Sequence, residues 1–135
     1  MSRRSRAREV VLQVLFQDDL NPGASPHDAD LFLQDRLKQP ELIAFARSLV
    51  SGVRRNRQEL DELVGKTADN WSLERMAATD RNVLRLGAYE ILYTETPDRV
   101  SINEAVELAK RFGSAHSAQF VNGILDRFLA RHQQQ

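Results

Sequence analysis

Apolar residues recur in this chain at intervals of three and four rather than two, the periodicity of an α-helix and not of a half-buried strand. From Ala7 the series Val10, Val11, Val14 and Leu15, widened by Leu12 and Phe16, forms one stripe, which the polar residues Gln17, Asp18 and Asp19 close. Leu and Ala number 31 against 18 for Val, Ile and Thr, so intrinsic propensity agrees with the spacing. An all-α protein is the expectation.

Later segments follow the same rule. Residues 20–26 read as a loop that ends with Ser25 as an N-cap and Pro26 in the first position of a second helix, which runs to about Lys38. Pro40 opens a third helix, with Leu42, Phe45, Ala46, Leu49, Val50 and Val53 on one face. The run Arg54-Arg55-Asn56-Arg57 interrupts that face before Leu60, Leu63 and Val64 resume it, so a bend or break is predicted there. Residues 65–72 form a connection. From about Thr79 to Tyr93 the sequence is apolar almost all round, which marks a helix enclosed by others. Ser101-Ile102-Asn103-Glu104 has the form of a capping box at the start of the next helix, and Gly113 supplies a left-handed stop. A last helix starts at Ser114 or Ser117, with Gly123 inside it marking a close helix approach. Asn103 and Asn122 are expected to cap or bridge backbone groups. A single domain spanning residues 1–135 is predicted, a compact bundle of about seven helices. Residues 1–8 form an arginine-rich arm and residues 133–135 a frayed tail.

Much chemistry is excluded. With no cysteine, thiolate metal sites, iron–sulfur clusters and a cysteine nucleophile are out of reach. His27, His116 and His132 lie far apart and lack the carboxylate spacing of a metal pair, no glycine-rich phosphate loop occurs, and no nucleophile elbow is present. An enzyme is therefore not expected, nor a cofactor. No apolar run approaches the roughly 18–20 residues needed to span a bilayer, and the start lacks the apolar stretch of a signal peptide, so a soluble cytoplasmic protein is the expectation. Carboxylate runs such as Asp18-Asp19 and Glu59, Asp61 and Glu62 read as solvated helix faces.

The formal net charge is zero, but Arg3, Arg4, Arg6 and Arg8 give the first eight residues +4 and leave −4 on the remainder. Four guanidinium groups this close make a surface suited to phosphates; the plainer alternative is a solvated terminus. At a helix N-terminus such charges oppose the macrodipole unless an anion neutralises them. Arg54, Arg55 and Arg57 form a second basic group, read as a solvated face.

Several strings together resemble the NusB family of transcription antitermination factors. They are Arg3-Arg4-Ser5-Arg6-Ala7-Arg8-Glu9 with Leu15-Phe16, Leu49-Val50-Ser51-Gly52-Val53, Trp71-Ser72-Leu73 and Asp80-Arg81-Asn82-Val83-Leu84-Arg85, then Ile102-Asn103-Glu104-Ala105 and Phe120-Val121-Asn122-Gly123. The resemblance covers nearly the whole chain. It implies two small helical sub-bundles and a function in antitermination during ribosomal RNA synthesis within the transcription elongation complex. It also implies binding to single-stranded boxA RNA and to NusE, a ribosomal protein of the small subunit. By this likeness Arg3, Arg4, Arg6 and Arg8 serve RNA binding, and so does the segment from Ser114 through His116 to Phe120. Phe16 and Asp80 fall on the partner-binding face. Ala115 and His116 depart from the acidic residues common in relatives, and Phe16 from a tyrosine. A helical protein-docking module without RNA binding is the rival reading. The amino-terminal part of certain RNA methyltransferases is another, though these carry a large catalytic domain and cysteines.

Overall fold

The computed structural model describes residues 2–69 and 71–133, and among them lie seven α-helices and no strand. The first three, α1 (Arg3–Leu20), α2 (Pro26–Leu37) and α3 (Pro40–Arg55), pack on one another. The remaining four, α4 (Arg57–Thr67), α5 (Ala78–Tyr93), α6 (Asp98–Phe112) and α7 (Ser117–Gln133), form a second group. A single 3-10 turn, Leu73–Arg75, precedes α5. The predicted all-α architecture of two sub-bundles is what is found. The end of the chain beyond Gln133, part of the predicted tail, and Met1 lie outside the described residues.

Helix α5 is the shared element. It packs against α1, α3, α4, α6 and α7, as its all-round apolar sequence requires, and its residues 82–88 are buried without interruption. Two glycines permit this crowding. A Cβ on Gly52 would overlap the Tyr89 ring, and one on Gly87 would stand 2.8 Å from Leu125 Cδ1 and 3.4 Å from Ala105 Cβ. The bundle closes over Leu33, Leu49, Leu60, Leu84, Ile102, Ile124 and Phe128, all fully buried. Burial of that kind contributes roughly 1.5–3 kcal/mol for each large apolar side chain.

Several local expectations are corrected. Residues 3–8 are not a separate arm: α1 begins at Arg3, because Ser2 caps it by accepting a hydrogen bond from the Ser5 amide at 3.0 Å. The break in the third helix falls at Asn56, whose side-chain amide donates to the Gly52 carbonyl at 2.8 Å and so ends α3 one residue before α4 starts. Ser101 does not cap α6, which starts a turn earlier at Asp98 after Pro97; Ser101 is buried, and Glu104 turns instead toward α1. Gly113 is extended (φ −96°, ψ −166°) rather than left-handed, and its lack of a side chain makes room for Ser117. Gly123 faces open space, so no close approach explains it. Asn103 and Asn122 are exposed on α6 and α7.

Candidate nucleic-acid interface

The macrodipole penalty expected at the start of α1 is relieved by carboxylates from four other positions. Arg3 bonds Gln39 and pairs with Glu41, both at the start of α3. Arg4 lies over the Phe45 ring, 4.3 Å from its centroid. Arg6 pairs with Glu9 at 3.0 Å, one turn along the same helix. These three guanidinium groups remain exposed. Arg8 does not: it is 3% exposed and donates to both oxygens of the buried Glu90 carboxylate, at 2.9 and 2.7 Å. Glu90 also accepts from Thr96 Oγ1 at 3.2 Å, and Glu104 sits 3.5 Å from Arg8. Burial alone lowers the affinity of the Arg8 guanidinium for its proton, but the hydrogen bonds and charge of Glu90, helped by Glu104, leave its pKa raised. Of the four predicted RNA-binding arginines, Arg8 is a structural ion pair.

The second predicted segment turns the corner between α6 and α7. The Ser114 amide donates to Ser117 Oγ at 2.9 Å, which tightens the turn and leaves Ser114 and His116 exposed. Phe120, one turn into α7, is half-buried against the core and meets the Trp71 ring edge-on, with centroids 6.2 Å apart and planes at 76°. The corner and the α1 arginines are connected. Glu9, buried and three residues from Arg6, also pairs with Arg111 in the last turn of α6, so Arg6, Glu9 and Arg111 link the start of α1 to the chain just before Ser114. Sequence reasoning missed Glu9. Its i,i+3 spacing from Arg6 was visible, whereas its pairing with Arg111 depends on the tertiary fold.

Phe16 is half-buried in a groove of about 730 Å³ between α1, α2 and the end of α6, and Phe32 and Phe112 line it as well. Thr79 reaches the same groove and Asp80 follows it in the first turn of α5. Asp80 Oδ1 is buried and has no hydrogen-bond partner among the described residues.

Of the carboxylates read as solvated faces, Glu59 and Glu62 are exposed, whereas Asp18, Asp19 and Asp61 are anchors. Asp19, its side chain only 4% exposed, accepts hydrogen bonds from Arg57, Arg81 and Asn82, each at 2.8 Å, and from Arg85 at 3.1 Å. Asp61 takes the other edge of Arg85 at 2.7 Å. Arg54 is paired with Asp18 at 2.8 Å, so of the second basic group only Arg55 stands exposed. Burial works to raise the Asp19 pKa, yet the hydrogen bonds from Arg81 and Asn82 and the charge of Arg85 hold it below the ordinary carboxylate value.

Among the described residues no group of histidines and carboxylates is placed to hold a metal ion, and no helix is long and apolar enough to cross a membrane. A sequence profile described as the NusB family matches residues 5–130. A relative from Desulfatibacillum aliphaticivorans, named transcription antitermination protein NusB, is 47% identical over 128 residues, covering 93% of this chain and 89% of the relative. The solved structure of T. maritima NusB is 37% identical, with a TM-score of 0.86 and coverage of 98% of this chain and 93% of that one. A structure of the antitermination factors NusB and NusE in complex with dsRNA aligns with a TM-score of 0.87 at 26% identity, covering 98% of this chain and 99% of that one.

Proposed function

The chain belongs to the NusB family, and from that premise we propose that it is an antitermination factor binding single-stranded boxA RNA of nascent ribosomal RNA together with NusE. The observation that carries this reading is the exposed trio Arg3, Arg4 and Arg6 on the first two turns of α1, continuous through Glu9 and Arg111 with the Ser114–Phe120 corner. Glu41, the partner of Arg3, is exposed, and Glu9, the buried partner of Arg6, keeps Arg111, so an RNA phosphate replaces them at little cost. Phe120 supports an unpaired RNA, because an aromatic face stacks on a base only where the base is free of its helix. The solved relative that contains RNA holds a double strand beside NusE. Arg8 is outside the proposed contact set.

The groove at Phe16, Phe32 and Phe112 is the proposed seat of NusE. Asp80, partly exposed in the first turn of α5 next to Thr79 of the groove, offers a carboxylate to a basic side chain of a ribosomal protein. NusE docked there extends a positive surface that is small on this chain alone. The two ligands then bind cooperatively, each tightening the other by the same factor, since coupling is reciprocal.

The test is the complete binding cycle: boxA RNA with and without NusE, and NusE with and without RNA, using Asp80→Lys as the docking control. Equal enhancement on both legs supports cooperative assembly. RNA affinity that does not change when NusE is shown to be bound overturns the cooperativity. NusE binding by a chain that retains no RNA makes it a docking module only.

A further inference from the structure

Glu9 is the first acid in the chain, and its buried carboxylate is shared by two half-exposed cations from different helices. The residue is 4% exposed, whereas the side chains of Arg6 and Arg111 are 46% and 39% exposed. Arg6 Nη1 donates to one carboxylate oxygen at 3.0 Å, and Arg111, arriving from the last turn of α6, pairs with the other. A buried carboxylate stripped of both partners is strongly destabilising, but it tolerates the loss of one while the other stays.

The same residue belongs to the wall of the partner groove. Glu9 lines that groove with Leu12 and Phe16 of α1 and with Phe112, the neighbour of Arg111. Phe112 is 42% exposed, and the Arg111 guanidinium lies over its ring, 5.3 Å from the centroid. A ligand seated in the groove therefore covers Glu9 and Phe112 together. It excludes water from the Glu9–Arg111 pair, which strengthens their attraction, and it confines the ring on which Arg111 rests. Both changes hold Arg111 on Glu9. Arg6 belongs instead to the exposed trio on the first two turns of α1.

Resting on the RNA and NusE reading above, we infer that Glu9 is the positioning residue that couples the two ligand sites. With the groove empty, its charge is divided between Arg6 and Arg111, and an RNA phosphate must draw Arg6 away from it. With the groove filled, Arg111 stays on Glu9 and Arg6 passes to the phosphate more easily. The relation runs both ways, because RNA that takes Arg6 leaves Glu9 to Arg111 alone and so fixes the Phe112 wall before the partner arrives. The pairing of Glu9 differs between the empty and filled groove, and that difference is the free energy a coupling needs.

The binding cycle with boxA RNA and NusE is measured on the intact chain and on each variant, with helical melting as the control for folding. Glu9→Gln keeps the side chain's shape and removes its charge. It should raise the RNA affinity of the chain alone several-fold and bring the factor by which NusE and RNA tighten one another down toward one. Glu62→Gln, on the exposed face of α4, removes the same charge and should change neither by more than about twofold, since distant exposed charges are screened. Arg111→Gln should weaken RNA binding by the chain alone about tenfold, because Glu9 then retains Arg6, and should lower the coupling as well. Adding Glu9→Gln to Arg111→Gln should restore most of the lost affinity, which a simple phosphate contact of Arg111 would not allow. A coupling factor unchanged in either single variant, or a double variant no better than Arg111→Gln, overturns the inference and leaves the RNA and NusE reading standing. RNA affinity indifferent to bound NusE in the unaltered chain overturns the cooperative reading and the inference with it.

Discussion

The two ends of α1 are both crowded with arginine–carboxylate pairs, but they are built in opposite senses. At the amino-terminal end the arginines belong to α1 and three of them point outward; at the carboxy-terminal end α1 contributes the acid, Asp19, and arginines from α4 and α5 converge on it from outside. Exposure decides what each arrangement can do. A solvent-facing pair such as Arg3–Glu41 contributes about 0–1 kcal/mol and exchanges partners easily. A buried cluster such as Asp19 with Arg85 contributes little against an apolar replacement, yet is severe to break from one side. Arg8 shows the boundary: two residues beyond Arg6, it belongs to the buried kind.

The comparison breaks most visibly at Asp19. Asp19→Ala removes the acid that Arg57, Arg81 and Arg85 share, leaves Arg85 to Asp61 alone, and should cost about 3 kcal/mol, read as a large fall in the thermal or urea midpoint. Arg8→Ala should act in the same direction by stranding Glu90. Arg3, Arg4 and Arg6 replaced together by Ala should do the reverse. Stability should change by less than about 1 kcal/mol, while the slope of log affinity against log salt should fall in magnitude by about 2 if each arginine meets a phosphate. A melting change as large as that of Asp19→Ala would erase the distinction between the two ends.

Acid titration sharpens the contrast. Asp19 has a lowered pKa in the fold, so its stabilisation is complete above the unfolded carboxylate value and is lost as pH falls through the lower folded one. Urea midpoints measured at decreasing pH should therefore drop in the acid range, and Asp19→Asn should flatten that drop while lowering the neutral-pH plateau. The smallest effect belongs to the cap. Ser2→Ala should cost about 1 kcal/mol or less, confined to the first turn. Its signature is faster amide exchange there, with a modest loss of RNA affinity.

The helices were legible because their signals are local. Three-and-four spacing, Ser25-Pro26, Pro40 and the polar break before Leu60 each act within a turn or two of the chain. Misreadings arose where a distant partner outbid a near one. Glu104 had the spacing to pair with Ser101 but bonds Ser5 and Arg8, nearly a hundred residues earlier. Asp19 had the look of a wet helix end until Arg81, Asn82 and Arg85 folded over it. Gly123 sat in a helix without a reason readable from its neighbours. The arginine-rich start was visible at once, whereas the division between Arg8 and its three companions depends on Glu90.

The long reach of Arg8 and Asp19 bears on how the chain is made. Synthesis runs from the amino terminus at roughly 5–20 residues per second, and α1 leaves the ribosome ahead of α5 while carrying two charges whose counterparts lie on that helix. Until residue 90 has emerged, Arg8 has no Glu90 to meet, and burying it earlier leaves a bare cation in an apolar interior. Helix α1 is thus held in waiting for α5, and α2 and α3 can gather on it only loosely beforehand. Final docking of α1 therefore waits until the chain has been made through Glu90.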